Sequence, residues 1–301
     1  MLHAVAVTGS VRSAAASLHV TSSAASQQLA RLESEIGQPL LERRGRGVRL
    51  TDAARLLVAH TTRLLAQLEQ AEAELAAHSG AVAGRLTVAA FATAARGLCP
   101  AALRSLRDRH PELQARLVEL EPDAAIPALA RGDVDVAIVQ DWIDAPLSLP
   151  AGLTRRHLLD DPFDVAVPAE HPIPGTDPVA LTELADEEWI SWSDGQICHD
   201  WLVDTFRAHG LDTRIAHTAS EHSTQLALVA AGLGVAVVPR LGRGPALPGV
   251  RFLTLVPRPR RRIAVLWRLA AARRPAVAEA VRAVSAAAGA DEGGDQQAED
   301  Q

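Results

Sequence analysis

The chain has 301 residues, 48% of them hydrophobic, which exceeds what one domain of ~100–150 residues needs and supports two or three globular units. Its formal net charge of −6 speaks against a protein that coats nucleic acid indiscriminately. Only Cys99 and Cys198 occur, far apart, so neither a disulfide scaffold nor a thiolate metal centre is indicated. No basic-then-apolar leader opens the chain and no run of eighteen apolar residues occurs, which makes the cytoplasm the expected compartment.

The charge is unevenly spread. Residues 1–56 hold seven Arg against four acids, or +3, leaving −9 for the remainder. A small basic head on an acidic body suits a protein that meets phosphates at one end. All 30 basic residues are Arg; with abundant Ala this follows as readily from genome composition as from selection, and it carries no functional weight.

Ser10 is placed to cap a helix from Val11 to Leu18, with Ala14, Ala15 and Leu18 as its packing face. His19 and Val20 form a turn, and Thr21 caps the next helix. There Ala25, Leu29, Leu32 and Ile36, at spacings of four, three and four, make one buried stripe. Ser22, Ser23, Ser26, Gln27, Ala30 and Arg31 are left facing out. Short hydroxyl and amide side chains on such a helix fit base edges and phosphates, although a solvated, well-capped polar face is the plainer alternative.

The next segment bears on that choice. Gly45 and Gly47 bracket Arg46 in a tight hairpin turn, followed by the extended Val48-Arg49-Leu50, so that Arg43, Arg44, Arg46 and Arg49 stand at a hairpin tip within reach of phosphates or a minor groove. Four Arg in seven positions directly behind a helix-turn-helix pattern favour DNA contact over decoration. Residues 1–56 thus read as a mainly α winged helix-turn-helix, a shape that commonly places one helix in the major groove.

From Thr51, a further cap, a long helix is predicted to about Ala77, with Leu57, Leu64, Leu68, Ala71 and Leu75 at helical or heptad-like spacing beside Leu56 and Leu65. Its stripe needs a partner. Homodimerisation through residues 57–80 is the simplest, and it would present two reading heads to a two-fold DNA site.

These residues resemble the LysR-type family of bacterial transcriptional regulators. The match runs through Ala4-Val5-Ala6, Gly9-Ser10, Ala14-Ala15, Leu18-His19-Val20, Thr21 to Ser26, Leu32-Glu33, Gly37, Leu40-Leu41-Glu42-Arg43 and Leu50-Thr51. The resemblance implies that Ser22, Ser23, Ser26, Gln27 and Arg31 lie on a recognition helix and Arg43, Arg46 and Arg49 in or beside a wing. Two departures stand out. The family commonly has Arg or Lys where Gln27 stands, so one phosphate contact is expected to be weaker or replaced. Its first helix usually begins several residues further upstream, so Met1-Leu2-His3 implies a misassigned start or a less stable head.

Beyond Gly84 a new pattern begins. Strands are predicted at Leu86–Ala90, Leu117–Leu120 and Val134–Val139, with a loop from Phe91 to Gly97 and helices at about Leu98–Arg109 and Ala124–Arg131. A second set follows, with strands at Phe163–Val167 and Trp189–Ser191, a helix around Trp201–His209, a Leu-rich helix from Leu226, a strand to Pro239, a strand at Ile263–Trp267 and a closing helix at about Pro275–Ala288. Alternation at this spacing indicates a largely parallel α/β layer. Gly232 and Gly234 follow a helix, so they read as a helix-to-strand turn and not a nucleotide loop.

The resemblance extends here through Gly132 to Ile138 and Leu228 to Val235. It implies a periplasmic-binding-protein-like effector domain over 84–288, with subdomain I at about 84–159 and 264–288, subdomain II at about 160–263, two crossing strands, and a ligand cleft between. In the family the ligand shifts dimer or tetramer geometry on DNA. Strand ends nominate Phe91, Thr93 and Arg96 on one side and Ser191 to Asp194, including Ser193, on the other, and the resemblance implies that His222 and Ser223, beside Ser220, form a polar wall just before the Leu-rich helix. Helix amino termini and Arg96 favour an anion, hence an effector carrying a carboxylate, unless Arg96 is a plain surface residue.

No metal is expected: His217, His222, Cys198, His199 and Asp200 lack a recognised ligand spacing. No Gly-x-Ser-x-Gly elbow, phosphate loop or paired catalytic motif occurs, so neither an enzyme nor a cofactor is expected. Arg258, Arg260, Arg261 and Arg262 read as a solvated loop ahead of a second DNA surface, and residues 289–301 as a disordered acidic tail. The expected protein is a sequence-specific, effector-modulated DNA-binding regulator, a homodimer or homotetramer with double-stranded DNA and a small molecule as partners and no membrane. The alternative is a small-molecule binding protein or enzyme carrying a non-functional head, against which the Arg-bearing wing argues.

Overall fold

A computed structural model describes the backbone of residues 1–44, 47–142, 146–172, 178–244 and 247–299, and their side chains apart from residues 43, 44, 47, 79 and 290–299. The head comprises α1 (Leu2–Thr8), α2 (Val11–Ser17), α3 (Ser22–Ile36), β1 (Leu41–Arg44) and β2 (Gly47–Leu50). Ser10 caps α2 by accepting the N–H of Ser13 at 3.0 Å, and Thr21 caps α3 through Ala24 at 3.1 Å. The helix at Leu2–Thr8, which periodicity does not mark, supplies Leu2, Ala4 and Val5 to a core shared with Ala14, Leu29, Leu40 and Ala54.

On α3, Ala25 and Leu29 are buried but Ile36 is 40% exposed. The stripe therefore stops short of the helix end, where Gly37 in the left-handed region turns the chain away. Glu33 of α3 accepts the N–H groups of Leu40 and Leu41 at 2.7 and 3.1 Å, fastening the hairpin to that helix. Thr51 then caps α4 (Asp52–Ser79) through Ala54, while its hydroxyl donates to the Pro39 carbonyl.

The body contains β3 (Gly84–Ala90), α5 (Ala92–Gly97), α6 (Cys99–Arg109), β4 (Leu113–Glu119), α7 (Pro122–Arg131), β5 (Val136–Trp142), β6 (Leu153–Pro168), β7 (Val179–Ala180), β8 (Glu188–Ser191), α8 (Ile197–Ala208), β9 (Arg214–Thr218), α9 (His222–Ala230), β10 (Ala236–Pro239), β11 (Val250–Val256), β12 (Arg260–Arg268) and α10 (Pro275–Glu299). The main sheet runs β4-β3-β5-β12-β6-β11-β7, with β10 also paired to β6. Strand β3 is parallel to β4 and β5, whereas β12 is antiparallel to both β5 and β6. The sheet is thus parallel only in part, because β6 and β12 return between the two lobes. The boundaries expected at 159/160 and 263/264 fall inside these two strands.

The loop expected from Phe91 to Gly97 is instead the helix α5. Alanines at 92, 94 and 95 favour it, and at Gly97 an added Cβ would overlap Leu241. One lobe packs Leu86, Val88, Leu98, Leu106, Ile138 and Val277; the other packs Phe163, Val165, Trp189, Leu202 and Phe206. Helix α10 passes Gly289, where the tail is expected to begin, and runs to Glu299; Asp300 and Gln301 lie outside the described residues. Among the described residues no helix is long and apolar enough to cross a membrane.

Candidate functional site

Two regions carry the nominated residues. On α3, Ser22, Ser23, Ser26, Gln27 and Arg31 are all exposed, as the buried positions Ala25 and Leu29 require. The first turn carries no acid, so its free N–H groups present partial positive charge without a competing carboxylate. Ser26 donates to the Ser22 carbonyl at 2.9 Å. Arg31 pairs with Glu35 at 2.9 Å, but both side chains are mostly exposed; a pair of that kind holds weakly and exchanges readily for a phosphate.

The wing forms as an antiparallel pair in the register Leu41↔Leu50, Glu42↔Arg49, Arg43↔Val48 and Arg44↔Gly47. Arg49 is exposed opposite Glu42. The backbone of Arg43 lies in β1, its side chain is outside the described residues, and Arg46 is outside them altogether.

The second region lies where the lobes meet. Thr93 of α5 is 1% exposed, and His222 at the start of α9 is 5% exposed. Both converge on Gly242, where an added Cβ would come within 3.2 Å of Thr93 and 3.1 Å of His222. Arg96 donates to the Gly242 carbonyl at 3.1 Å and has no carboxylate within ion-pair distance among the described residues. His222 sits edge-on to Trp192, with ring centroids 5.2 Å apart. Ser191 and Gln225 are fully buried and joined through Ala219, whose N–H donates to the Ser191 carbonyl and whose carbonyl accepts the Gln225 amide at 2.8 Å.

Three polar atoms of this wall, Ser191 Oγ, His222 Nε2 and Gln225 Oε1, are buried without a hydrogen-bond partner among the described residues. Burial, reinforced by the guanidinium charges of Arg261 and Arg96, lowers the His222 pKa to about 3, so the ring is neutral at pH 7. Ser193 and Ser223 are exposed, and Ser223 is engaged with Glu221 at 2.8 Å, so neither joins the buried group. Gln225 was legible in principle: it lies one turn after His222 on the same helix face.

Arg261 overturns the solvated-loop reading of the arginine run. It is 3% exposed, lies near the rings of Phe91 and Phe163, and donates to Asp161 at 2.6 Å, to Thr93 at 2.7 Å and to Gln140. Arg258 pairs with the buried Asp164 at 2.9 Å and Arg262 with Asp141 at 3.1 Å; of the four, only Arg260 is exposed. The acids come from β5 and β6, strands that pair with β12 or lie beside it only after folding, so the run could not announce its burial.

Asp194, His199 and Asp200 bring possible ligand atoms within 4.8 Å of one another. They sit at the amino end of α8, whose partial positive charge favours the carboxylates and opposes a cation, and Asp200 already accepts the Gly195 N–H. Both thiols are buried, and burial pushes Cys99 and Cys198 up to about 12.

Comparison with known proteins matches residues 1–55 to a family described as bacterial regulatory helix-turn-helix protein, lysR family, and residues 79–289 to the LysR substrate binding domain. The chain is 31% identical over 268 residues to the HTH-type transcriptional regulator IlvR of Caulobacter vibrioides, covering 88% of this chain and 89% of that protein. It is 30% identical over 238 residues to a probable hydrogen peroxide-inducible genes activator of Mycobacterium leprae, covering 79% and 75%. A full-length OxyR variant from Pseudomonas aeruginosa has the same fold at a TM-score of 0.65 and 24% identity, over 94% of this chain and 92% of that one.

Proposed function

The chain belongs to the LysR family of transcriptional regulators, DNA-binding and effector-modulated proteins and not enzymes, and from that premise we propose which residues do the work. Ser22, Ser23, Ser26, Gln27 and Arg31 read base edges and phosphates from α3, with Arg43, Arg46 and Arg49 holding phosphates from the wing. The working form is a homodimer, alone or paired into a tetramer, and it meets its DNA in the cytoplasm. The effector is a small metabolite with a carboxylate, bound where Thr93, Arg96, Ser191, His222 and Gln225 converge.

The observation that carries the effector assignment is the trio of buried, unpartnered atoms on the lobe wall. Each such atom costs about 1–3 kcal/mol, and native proteins keep few of them. A ligand accepting from the hydroxyl and donating to the amide oxygen removes the cost. Arg96, facing no carboxylate among the described residues, supplies the charge for an acid group.

The name of the M. leprae relative raises a peroxide-sensing alternative. Thiol oxidation needs a thiolate, and two buried thiols at about 12 are almost wholly protonated at pH 7, which disfavours it. Calorimetric titration of a panel of amino and organic acids tests the carboxylate reading. Wild type should bind one class, and Arg96→Ala should bind that class at least about tenfold more weakly, the scale of one lost charge-assisted hydrogen bond. Equal affinity in the two proteins refutes the role of Arg96.

A further inference from the structure

The body touches α4 through an arginine clamp. Arg268, the last residue of β12, reaches Glu69 of the linker helix with both oxygens engaged, at 2.7 and 3.0 Å from Nε and 2.6 Å from Nη2. The two side chains are 13% and 26% exposed. The other arm of Arg268 donates to the carbonyls of Leu129 and Val134, both at 2.7 Å, at the end of α7 and the approach to β5. The guanidinium is therefore rigidly mounted on the body. Ala73, one turn beyond Glu69, is 1% exposed, and Arg273 meets Glu74 at 3.2 Å.

The strand that carries Arg268 at one end carries Arg261 at the other. Seven residues at ~3.3 Å separate them, about 23 Å. Between those ends β12 is paired without interruption to β5, from Arg261 to Trp267, and on its other side to β6 with one register shift between Ile263 and Ala264, so that β5 holds the two ends to one frame. At the cleft end Arg261 grips Thr93 of one lobe and Asp161 of the crossing strand. Around the clamp lies an open groove of ≈ 640 Å³, lined among others by Leu65, Leu153 and Leu269, so the helix is not packed tightly against the body there.

We propose that β12 couples the cleft to the linker helix, with Glu69 and Arg268 as positioning residues that set the angle of α4 and hence of the DNA-binding heads. The proposal rests on the reading of the cleft as the effector site. A ligand that draws Thr93 or Arg261 toward itself displaces the strand, and the clamp transmits that displacement to α4. A coupling element must be biased from both ends, so a change at Arg261 must be felt at α4, which Arg261 does not touch.

Hydrogen exchange on the full-length protein tests this without knowledge of operator or effector. In Glu69→Gln, exchange over residues 65–77 should rise about fivefold, as expected for loss of a half-buried ion pair. In Arg261→Gln the same segment should rise comparably while α6 and β4 keep wild-type protection. A segment unchanged in Arg261→Gln, or a rise spread evenly over α6 and β4, overturns the coupling. Should Arg261→Gln fail to fold, Thr93→Val, which removes one acceptor of the same guanidinium, is judged by the same criterion. The acid panel separates the two ideas: Glu69→Gln should bind as wild type does, and if no acid binds wild type the cleft reading fails while the exchange result still decides the coupling.

Discussion

His222 shows how burial converts an ordinary side chain into a conditional one. Its folded pKa of about 3 lies below the unfolded value near 6.5, so below pH 6.5 the unfolded chain takes up a proton that the folded chain refuses. Stability from this residue is complete above pH 6.5 and declines as the pH falls toward 3, at about 1.4 kcal/mol per unit for a single group. Urea unfolding at pH 7.5 and 5.0 should therefore show wild type losing about 2 kcal/mol more than His222→Gln; parallel losses would show that the ring is not buried neutral. Only the resemblance singled out this histidine, which opens the Leu-rich helix α9; its burial is not written in the residues around it. Arg261 was not legible either: nothing in Arg258-Pro259-Arg260-Arg261-Arg262 distinguishes the guanidinium that meets Asp161, 100 residues away, from the one left in water.

At the scale of elements, local chemistry is readable where it is local. Ser10, Thr21 and Thr51 cap the helices expected of them because capping needs only the next three residues. Strand β9 and the helix α5 leave no such signal, the first because Arg214-Ile215-Ala216-His217-Thr218 is short and half polar, the second because six residues hold too little periodicity. On α4 the exposed leucines and the residues clamped to the body take different faces. Leu64 and Leu75, 66% and 72% exposed, lie between a third and a half of a turn from Glu69 and Ala73, so the clamp to the body leaves these leucines open for a second copy. Burying each such leucine is worth about 1.5–3 kcal/mol, and Leu64→Asp with Leu75→Asp should weaken the dimer by about 100-fold or more. Sedimentation velocity should show monomer at concentrations where wild type is dimeric, with helix content unchanged by circular dichroism. A double variant that sediments as wild type would remove this face from the interface.

For the whole molecule, the head-to-body charge contrast and the two-lobed body are visible in the sequence, the first from counting and the second from resemblance. The clamp is not, because Glu69 and Arg268 stand 199 positions apart with no pattern joining them. The assembled protein should read DNA with heads alone, since a body at −9 is repelled by phosphates. Two heads on a two-fold dimer meet half-sites one helical turn apart, about 34–36 Å, or a multiple of it. Binding of genomic fragments by full-length protein, followed by footprinting, should give a discrete, symmetric protected site. Repeating it at several salt concentrations tests the wing. Each phosphate held contributes about −0.9 to the slope of log affinity against log salt, so Arg43→Ala with Arg46→Ala, which removes four guanidinium groups per dimer, should flatten the slope by about 3–4. Affinity falls broadly across sequences in that case, because phosphates carry no sequence information. An unchanged slope would mean that Arg43 and Arg46 do not hold phosphates, leaving Arg49 and α3 as the contacts; no selected fragment at all would count against the head as a reader and return the weight to the ligand-binding body.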